Sequence, residues 1–182
     1  MPAHSFPLVT ERLILRPFRK EDQPAFAALN ADPEVRAYFP GLLSREASDA
    51  FADRIEASFS ARGYDYFAVE VRGGEPFVGF CGLSVPNFEA PFMPTVEIGW
   101  RLARAAWGKG YATEAARASL AFGFETLGLQ EIVAFTVPEN RRSRAVMDRI
   151  QMRHEPEQDF DHPNLAEGHV LRRHVFYRIA QT

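Results

Sequence analysis

Residues 96–113 read VEIGWRLARAAWGKGYAT, and the character of the sequence changes twice along this segment. Residues 96–102 alternate between two faces, which predicts a strand with one apolar face and a second face that carries Glu97 and Arg101. Two glycines then precede a segment in which small and apolar residues recur at helical spacing. The segment therefore predicts a strand, a glycine-bearing loop and a helix in direct succession.

The loop from Arg104 to Thr113 has the composition of an anion-binding site. At a helix start, unpaired N–H groups and the positive end of the dipole converge, and glycine lets a phosphate approach the backbone. The loop is not a P-loop, because Ala103 occupies the first glycine position and a glycine follows Lys109. It also lacks the Gly-x-Gly-x-x-Gly dinucleotide fingerprint, since Thr113 holds the third position. A pyrophosphate site and a tight turn shaped by glycines both remain open.

The segments after this loop predict a helix, a strand, a second helix and a last strand. Small residues recur at helical spacing from Gly110 to about Leu127, and Gly128 ends that helix. A nearly continuous apolar strand follows at Ile132–Val137, and the strand, helix, strand order favours a parallel pair. A helix is expected from Asn140 to Ile150 and a strand at residues 175–179.

The segments before the loop predict one strand, two helices and a hairpin. Leu13–Pro17 reads as a strand, and a short helix starts at Asp22, which is expected to cap it. Residues 44–63 predict a longer helix, capped by a serine and stopped by a glycine. Residues 67–71 and 77–83 read as an antiparallel hairpin.

Length and charge restrict the class of protein. The chain has 182 residues and no linker or repeat, so residues 1–182 are expected to form a single domain with an α/β (α+β) fold, a mixed and mostly antiparallel sheet flanked by helices. With 21 basic and 24 acidic residues, the charge argues against nucleic acid and anionic membranes as partners. We expect a cytoplasmic protein, because Cys81 is the only cysteine and no signal peptide or membrane span is evident.

Three short motifs stand at residues 97–102, 107–115 and 140–147, and they read EIGWRL, WGKGYATEA and NRRSRAVM. The chain also carries TERLILRP near its start, and DHP and HVFY near its end. Together these motifs resemble the GNAT superfamily of acetyl-CoA-dependent N-acetyltransferases, and most closely its RimJ/RimL-like branch, whose named members acetylate N-termini of ribosomal proteins. The resemblance covers nearly the whole chain and implies a splayed parallel strand pair that forms a wedge for acyl-CoA.

The resemblance also implies a cofactor site for acetyl-CoA, used as co-substrate. The family's loop pattern falls on Trp107, Gly110 and Ala112, and the tryptophan departs from the usual Gln or Arg. Backbone N–H groups are expected to bind the pyrophosphate, and the pantetheine arm is expected beside residues 100–102. The residues assigned to the cofactor are Trp100, Arg101, Leu102, Trp107, Gly108, Lys109, Gly110, Tyr111, Ala112, Thr113, Asn140 and Ser143.

Acetyl transfer to an amine needs a base, because the unperturbed pKa is ~7.7–8.0 for an α-amino group and ~10.4 for lysine. Glu97 is the acid inside the apolar strand ahead of the loop, so we assign it as catalytic base, acting directly or through water. The alternative is a structural ion pair with Arg101. By analogy, backbone N–H groups near Trp100 and Arg101 are candidates to stabilise the oxyanion.

The leaving thiolate is helped by a proton donor. Many family members use a tyrosine after the asparagine, but residues 140–150 contain none, so Ser143 is the hydroxyl that we place nearest the sulfur. Asn140 matches the family asparagine that contacts pantetheine or an ordered water. For both residues the alternative is helix capping.

The remaining candidates are weaker. His169 and His174 fit neither a helix face nor a strand face, so no metal site is expected, and His162 is either a loop residue or part of the substrate mouth. Cys81 is expected to be a buried hydrophobe. The basic helix after Asn140 is either a solvated face or contributes one or two arginines to the CoA phosphates.

The acceptor amine has no readable code in this sequence. It would contact the first helices, residues 39–41 and the loop from Pro86 to Pro94. Ribosomal protein N-termini, other peptides, amino acids and small-molecule amines are all open, as is a homodimer. A different class of function, a non-catalytic acyl-CoA-binding or regulatory module, would keep the loop without turnover.

Residues 149–152, RIQM, also depart from the family, which usually has a Gly-Phe turn there.

Overall fold

The computed structural model describes residues 6–181, and within them the chain forms nine β-strands and four α-helices. The strands are β1 (Leu8–Val9), β2 (Leu13–Arg16), β3 (Tyr66–Val71), β4 (Gly79–Ser84), β5 (Glu97–Leu102), β6 (Glu131–Thr136), β7 (Arg153–His154), β8 (Phe160–Asp161) and β9 (Arg173–Ala180). The helices are α1 (Gln23–Ala31), α2 (Arg45–Arg62), α3 (Tyr111–Ala121) and α4 (Arg141–Arg149). The predicted order of elements is confirmed, with three two-residue strands added.

The strands form one sheet in the order β1-β2-β3-β4-β5-β6-β9-β7, and β8 pairs with β9. Within residues 6–181, neighbouring strands run antiparallel except β5 and β6, which run parallel and are connected through α3. The predicted fold class, a mixed and mostly antiparallel sheet flanked by helices with one parallel pair, is therefore confirmed.

Helices cover both faces of the sheet. An aromatic and aliphatic cluster on α1 and α2 packs against Phe80 on one face, and small residues of α3 pack against Ile98 and Leu102 on the other. Phe80 stands directly opposite Arg101 in the β4–β5 ladder, so these two side chains share the face of α1 and α2. Glu97 lies on that same face, because side chains alternate along a strand.

The ends of α2 form as predicted, whereas the start of α1 does not. Ser44 accepts a hydrogen bond from the N–H of Ala47 at 3.2 Å, and Gly63 ends α2 with φ 80°. Asp22 precedes α1, but the prediction that its side chain caps this helix is wrong. Both of its oxygens accept hydrogen bonds from Arg16 instead, at 2.7 and 2.9 Å. A buried guanidinium needs a charged partner more than a helix needs one cap.

The helix predicted from Gly110 to about Leu127 is a shorter α3 that continues as a π-helical turn at Phe122–Thr126. Gly123 lies in that turn, where a Cβ would meet side-chain atoms of Ile132 and Leu83 at 2.7 and 2.8 Å. The helix end and the sheet are therefore packed too closely for any side chain at this position.

The turn after α4 contains Gln151 at φ 65°, a left-handed conformation that glycine adopts more readily. This is the place where the sequence lacks the family's usual Gly-Phe turn. The backbone therefore keeps a glycine-like turn with a different residue in it.

β5 and β6 separate after a single point of contact. The bridge joins Glu97 to Val133, and the N–H of Val133 donates to the carbonyl of Val96 at 3.0 Å. Beyond it, β5 stays paired with β4 and β6 stays paired with β9 over their lengths. The facing edges of β5 and β6 are thus left open to each other, and they form the expected wedge.

Two further sequence predictions concern the single cysteine and the membrane-spanning potential of the helices. Cys81 is fully buried, and burial raises the pKa of its thiol to about 12, as expected for a residue that acts as a small hydrophobe. Among residues 6–181, every helix is too short or too polar to cross a membrane.

Candidate active site

A cleft of about 1940 Å³ runs through the wedge between β5 and β6. It is lined by β5, the loop before α3, the start of α4 and the turn between α1 and α2. Lys109 is the one candidate site residue that does not line it, and its carbonyl accepts a hydrogen bond from Arg12 at 2.9 Å. The structure thus brings the other candidates, catalytic and cofactor-binding, to one continuous space.

The loop before α3 ends in backbone suited to an anion. Gly108 and Gly110 have φ 73° and 81°, and the first helical hydrogen bond runs from Glu114 N–H to the Gly110 carbonyl. The N–H groups of residues 111–113 therefore have no partner within the helix. Trp107 fixes the loop to the end of β5, because its Nε1 donates to the Leu102 carbonyl at 2.8 Å.

Arg12 and Thr10 form contacts with this loop and with the first turn of α3 that the sequence did not predict. Arg12 forms an ion pair with Glu114 in the first turn of α3, at 2.6 Å, and donates to the Lys109 carbonyl. Thr10 donates to the same carboxylate at 2.6 Å. Since Glu114 is neutralised by Arg12, the helix start keeps its positive character.

Glu97 lies in the cleft with its carboxylate held on one side. Tyr66 and Ser84 both donate to Glu97 Oε1, at 3.0 and 2.9 Å. Burial raises the pKa of Glu97 to about 7, and the two hydroxyl groups oppose this shift only in part. Oε2 has no hydrogen-bond partner among the described residues, and Glu97 remains partly exposed. A carboxylate with these properties can take up and release a proton near neutral pH.

The ion pair between Glu97 and Arg101, which the sequence left open, does not form among the described residues. Arg101 donates from Nη1 to Asn30 Oδ1 at 2.6 Å instead. The four-residue spacing along an extended strand separates their Cα atoms by roughly 13 Å. Arg101 therefore reaches α1 while Glu97 reaches Tyr66.

Tyr66 reaches Glu97 by lying across two glycines. Its register partner is Gly82 on β4, and Gly82 in turn pairs with Gly99 on β5. A Cβ on Gly99 would meet the Tyr66 ring and hydroxyl at 3.1 Å. Burial and the charge of Glu97 hold the pKa of this tyrosine well above its usual range, so it stays a hydrogen-bond donor.

Asn140 and Ser143 meet at the start of α4. Asn140 Oδ1 accepts from the N–H of Ser143 at 3.2 Å, which is the capping bond that the sequence allowed. Its amide nitrogen donates to the Ser143 hydroxyl at 3.1 Å and to Thr136 at the end of β6 at 2.9 Å. Because Ser143 Oγ accepts from Asn140, its own proton is available to another partner.

One arginine of α4 reaches the loop before α3. The guanidinium of Arg142 lies 4.2 Å from the ring centroid of Trp107. Arg144 turns away and donates to Tyr177 Oη and to the Pro138 carbonyl. The basic helix is thus neither wholly a solvated face nor wholly part of the cleft.

Two of the histidines, His162 and His174, join an aromatic cluster at the far end of the cleft. His162 and His174 have ring centroids 5.2 Å apart, and both line the cleft. Burial lowers the pKa of each ring, and for His174 the nearby Arg172 carbonyl, 3.1 Å from Nδ1, opposes the shift. Within residues 6–181 no group of His, Cys, Asp and Glu side chains has the arrangement of a metal site.

The chain is similar to known acetyltransferases in sequence and in fold. A sequence family described as "Acetyltransferase (GNAT) domain" matches residues 12–153. FsC-acetyl coenzyme A-N(2)-transacetylase of Aspergillus fumigatus is 32% identical in an alignment of 174 positions that covers 90% of this chain and 73% of that protein. The acetyltransferase from Agrobacterium tumefaciens str. C58 aligns with a TM-score of 0.78 and 28% identity, over 98% of this chain and 96% of that chain.

The fold is also shared with a second solved structure. Mycobacterium smegmatis RimJ in complex with CoA-disulfide aligns with a TM-score of 0.71, covering 92% of this chain and 81% of that chain. Its sequence identity is 24%, so this likeness concerns the fold alone.

Proposed function

The chain belongs to the GNAT acetyltransferase family, and we propose on this premise that it transfers the acetyl group of acetyl-CoA to a primary amine. The amine attacks the thioester directly, without an acyl-enzyme, and it is either a protein N-terminus or a small molecule. Family membership itself makes the chain an acetyl-CoA-dependent acyltransferase. The kind of acceptor and the roles of individual residues are the proposal.

The observation that carries this proposal is the state of Glu97. Its carboxylate has a pKa near 7, a free Oε2 and a place in the wedge. An amine arrives mostly protonated at neutral pH, and Glu97 takes its proton directly or through one water. The thiol of Cys81 is buried with a raised pKa, which argues against a covalent acyl-cysteine.

In the reaction, the neutral amine nitrogen forms a bond to the thioester carbon, and the carbonyl oxygen becomes an oxyanion. Our candidates to stabilise it are backbone N–H groups near Trp100 and Arg101, where β5 has an open edge toward β6. The C–S bond then breaks, and the remaining extra proton of the nitrogen passes through water, or through water and the Ser143 hydroxyl, to the departing thiolate. Glu97 releases the first proton to solvent, which restores its carboxylate. The products are the N-acetylated acceptor and CoA.

The cofactor is held by the loop before α3. The free N–H groups of residues 111–113 bind the pyrophosphate, and the arm of CoA lies in the wedge beside residues 100–102. Asn140 contacts the pantetheine end, and Arg142, which lies against Trp107, is close enough to the loop to meet a phosphate.

The test is to measure free thiol released from acetyl-CoA in the presence of a panel of amines, together with thermal stabilisation by CoA. An acetyltransferase releases thiol in proportion to acetylated amine. A binding or regulatory module would be stabilised by CoA and release thiol with none of the amines. If CoA stabilises the protein but no amine in the panel is acetylated, the chain is a binding or regulatory module and this proposal is wrong.

A further inference from the structure

A buried arginine that lines the cleft has no counter-charge in the described part of the chain. Arg101 is only 9% exposed, yet it lines the cleft on the same face of β5 as Glu97. No carboxylate lies within ion-pair distance of it among residues 6–181. A buried unpaired charge is costly, so its persistence needs a reason.

The partners of Arg101 are neutral and incomplete. Nη1 donates to Asn30 Oδ1, and Asn30 in turn donates to Ser48 Oγ at 3.0 Å, which aims the amide oxygen at the arginine. Nε is buried and has no hydrogen-bond partner. The ring centroids of Phe39 and Phe80 lie 4.0 and 5.1 Å from the guanidinium carbon. At least one N–H group of the Arg101 guanidinium therefore has no hydrogen-bond acceptor among the described residues.

A second arginine adds to the positive charge. Arg36 is 8% exposed, and its side chain donates to the backbone carbonyl of Gly41. Its guanidinium carbon lies 5.0 Å from the centroid of the Phe39 ring. Burial, and secondly the charge of Arg36, lower the pKa of Arg101 to about 9. Two guanidinium groups that repel each other thus flank one aromatic ring at the cleft.

The same chain neutralises a buried arginine where the role is structural. Arg16 is 4% exposed and binds Asp22 through two hydrogen bonds and Glu70 through a third. Two acids of the turn after α1 are also committed elsewhere, since Asp32 and Glu34 both pair with exposed Arg104. The missing carboxylate at Arg101 is therefore a local property of the cleft.

We propose that the acceptor amine carries a carboxylate, which binds Arg101 while the amine reaches Glu97; Arg36 does not line the cleft and contributes only its charge. This deepens the proposed function and rests on it. Arginine presents a planar fork that matches a carboxylate through two parallel hydrogen bonds. The roughly 13 Å between the Cα atoms of Glu97 and Arg101 indicates an amine and a carboxylate several bonds apart.

Such a carboxylate has two sources, and matched acceptors separate them. The first pair is a short ω-amino acid or dipeptide and the same molecule with its carboxylate converted to an amide. The other is a longer peptide with Glu near its N-terminus and the same peptide with Gln. For one of these pairs we expect kcat/KM to favour the carboxylate by about 10- to 100-fold, the effect of a hydrogen bond to a charged group.

The variant that tests the site is Arg101→Met, which keeps an unbranched apolar stem and removes the guanidinium and its charge. We expect the preference for the carboxylate to fall to near one, while the melting temperature stays the same or rises, because an unpaired buried charge is replaced by an apolar side chain. Arg45→Met is the matched control. Arg45 pairs with Asp49 on the surface of α2, and its loss should leave the preference unchanged.

Calorimetry separates failure of this inference from failure of the proposed function. If no amine is acetylated, binding of the carboxylate acceptor to wild type but not to Arg101→Met still supports the carboxylate site. If amines are acetylated but acids and amides react equally, the proposed function stands and the carboxylate site is wrong. A large loss of stability in Arg101→Met with an unchanged preference would make Arg101 a structural anchor for Asn30 and would overturn the inference.

Discussion

At the scale of single residues, the chemistry depends on how Glu97 is buried. Its partners are two hydroxyl groups, not cations, so nothing in its described surroundings lowers its pKa to the range of a surface acid. Tyr66 and Ser84 orient the carboxylate through Oε1 and leave Oε2 for the reaction. In the proposed reaction these two hydroxyl groups position Glu97 and take no part in the proton transfer themselves.

Glu97→Gln should lower turnover by roughly 100-fold at pH 8, which is the size that general-base catalysis contributes. The amide oxygen of the variant side chain can still accept from Tyr66 and Ser84, so the geometry is retained. The pH profile of the wild type should rise through about pH 7 as Glu97 loses its proton, and the variant should lack that step. A variant that keeps full turnover at every pH would place the base elsewhere.

The same substitution has an opposite effect on stability. The pKa of Glu97 is raised in the folded state, from 4.5 to about 7. Folding thus favours its protonated form, and the benefit present below pH ~4.5 is lost as the pH rises through 7. The free energy of unfolding of Glu97→Gln, measured with urea, should exceed that of wild type by on the order of 1 to 3 kcal/mol at pH 8 and by little at pH 5.

Gly110→Asp should abolish CoA binding. The change adds a side chain and a negative charge at a helix start where the pyrophosphate is proposed to lie, and it strains a residue at φ 81°. Gly128→Asp is the control, because Gly128 has φ 68°, open space around it and no place in the cleft. Calorimetry should find CoA binding in the control alone, and unchanged affinity in folded Gly110→Asp would contradict the assignment.

At the scale of elements, the start of α4 holds two residues, Asn140 and Ser143, whose roles in capping and in catalysis can be separated by substitution. Ser143→Ala keeps the cap, since Asn140 accepts from the backbone N–H of residue 143. We expect little change in stability or acetyl-CoA affinity and a modest fall in turnover, because the thiolate loses a donor. Wild-type turnover, in an assay where chemistry limits the rate, would leave water as the donor.

The turn after α4 offers a test of stored backbone strain. Gln151→Gly should raise the free energy of unfolding by roughly 1 kcal/mol, because a left-handed φ of 65° costs a residue with a Cβ more than it costs glycine. Gln151→Ala keeps the Cβ and should change little. Equal stabilities of both variants, measured by urea unfolding, would mean that the turn is not strained.

Elements in which apolar residues recur with a clear period could be predicted from the sequence. Elements that exist only because two strands pair could not. The alternation in β5 and the caps of α2 are local signals, whereas β1, β7 and β8 have two residues each and show no period. Tyr66 and Ser84 were missed for the same reason. Only the register of β3, β4 and β5 brings a tyrosine at residue 66 to an acid at residue 97. The pairing of Asp22 with Arg16 likewise depends on where the two elements meet.

At the scale of the whole molecule, the sheet is continuous except at its centre. β5 and β6 share one bridge, and their facing edges carry backbone groups without strand partners. A sheet that leaves its middle open is held together there by helices and by whatever enters the wedge.

CoA should therefore change hydrogen exchange most strongly in the wedge. At a CoA concentration 100 times its Kd, amides on the facing edges of residues 98–102 and 134–136 should exchange up to roughly 100-fold more slowly. Amides in the β2–β3 ladder, which are already paired, serve as the internal control. Slowing that is uniform over the sheet, or that spares the wedge, would mean that CoA binds elsewhere.

The glycines at positions 82 and 99 give the enzyme a way to retune its acid without altering a charge. They leave a shallow trough across two strands, and the ring of Tyr66 fills it on the way to Glu97. A single methyl group at Gly99 would crowd that ring from 3.1 Å and shift its hydroxyl by a few tenths of an ångström relative to the carboxylate. The working pH of this scaffold can thus shift through a residue that carries no charge and has no side chain to lose.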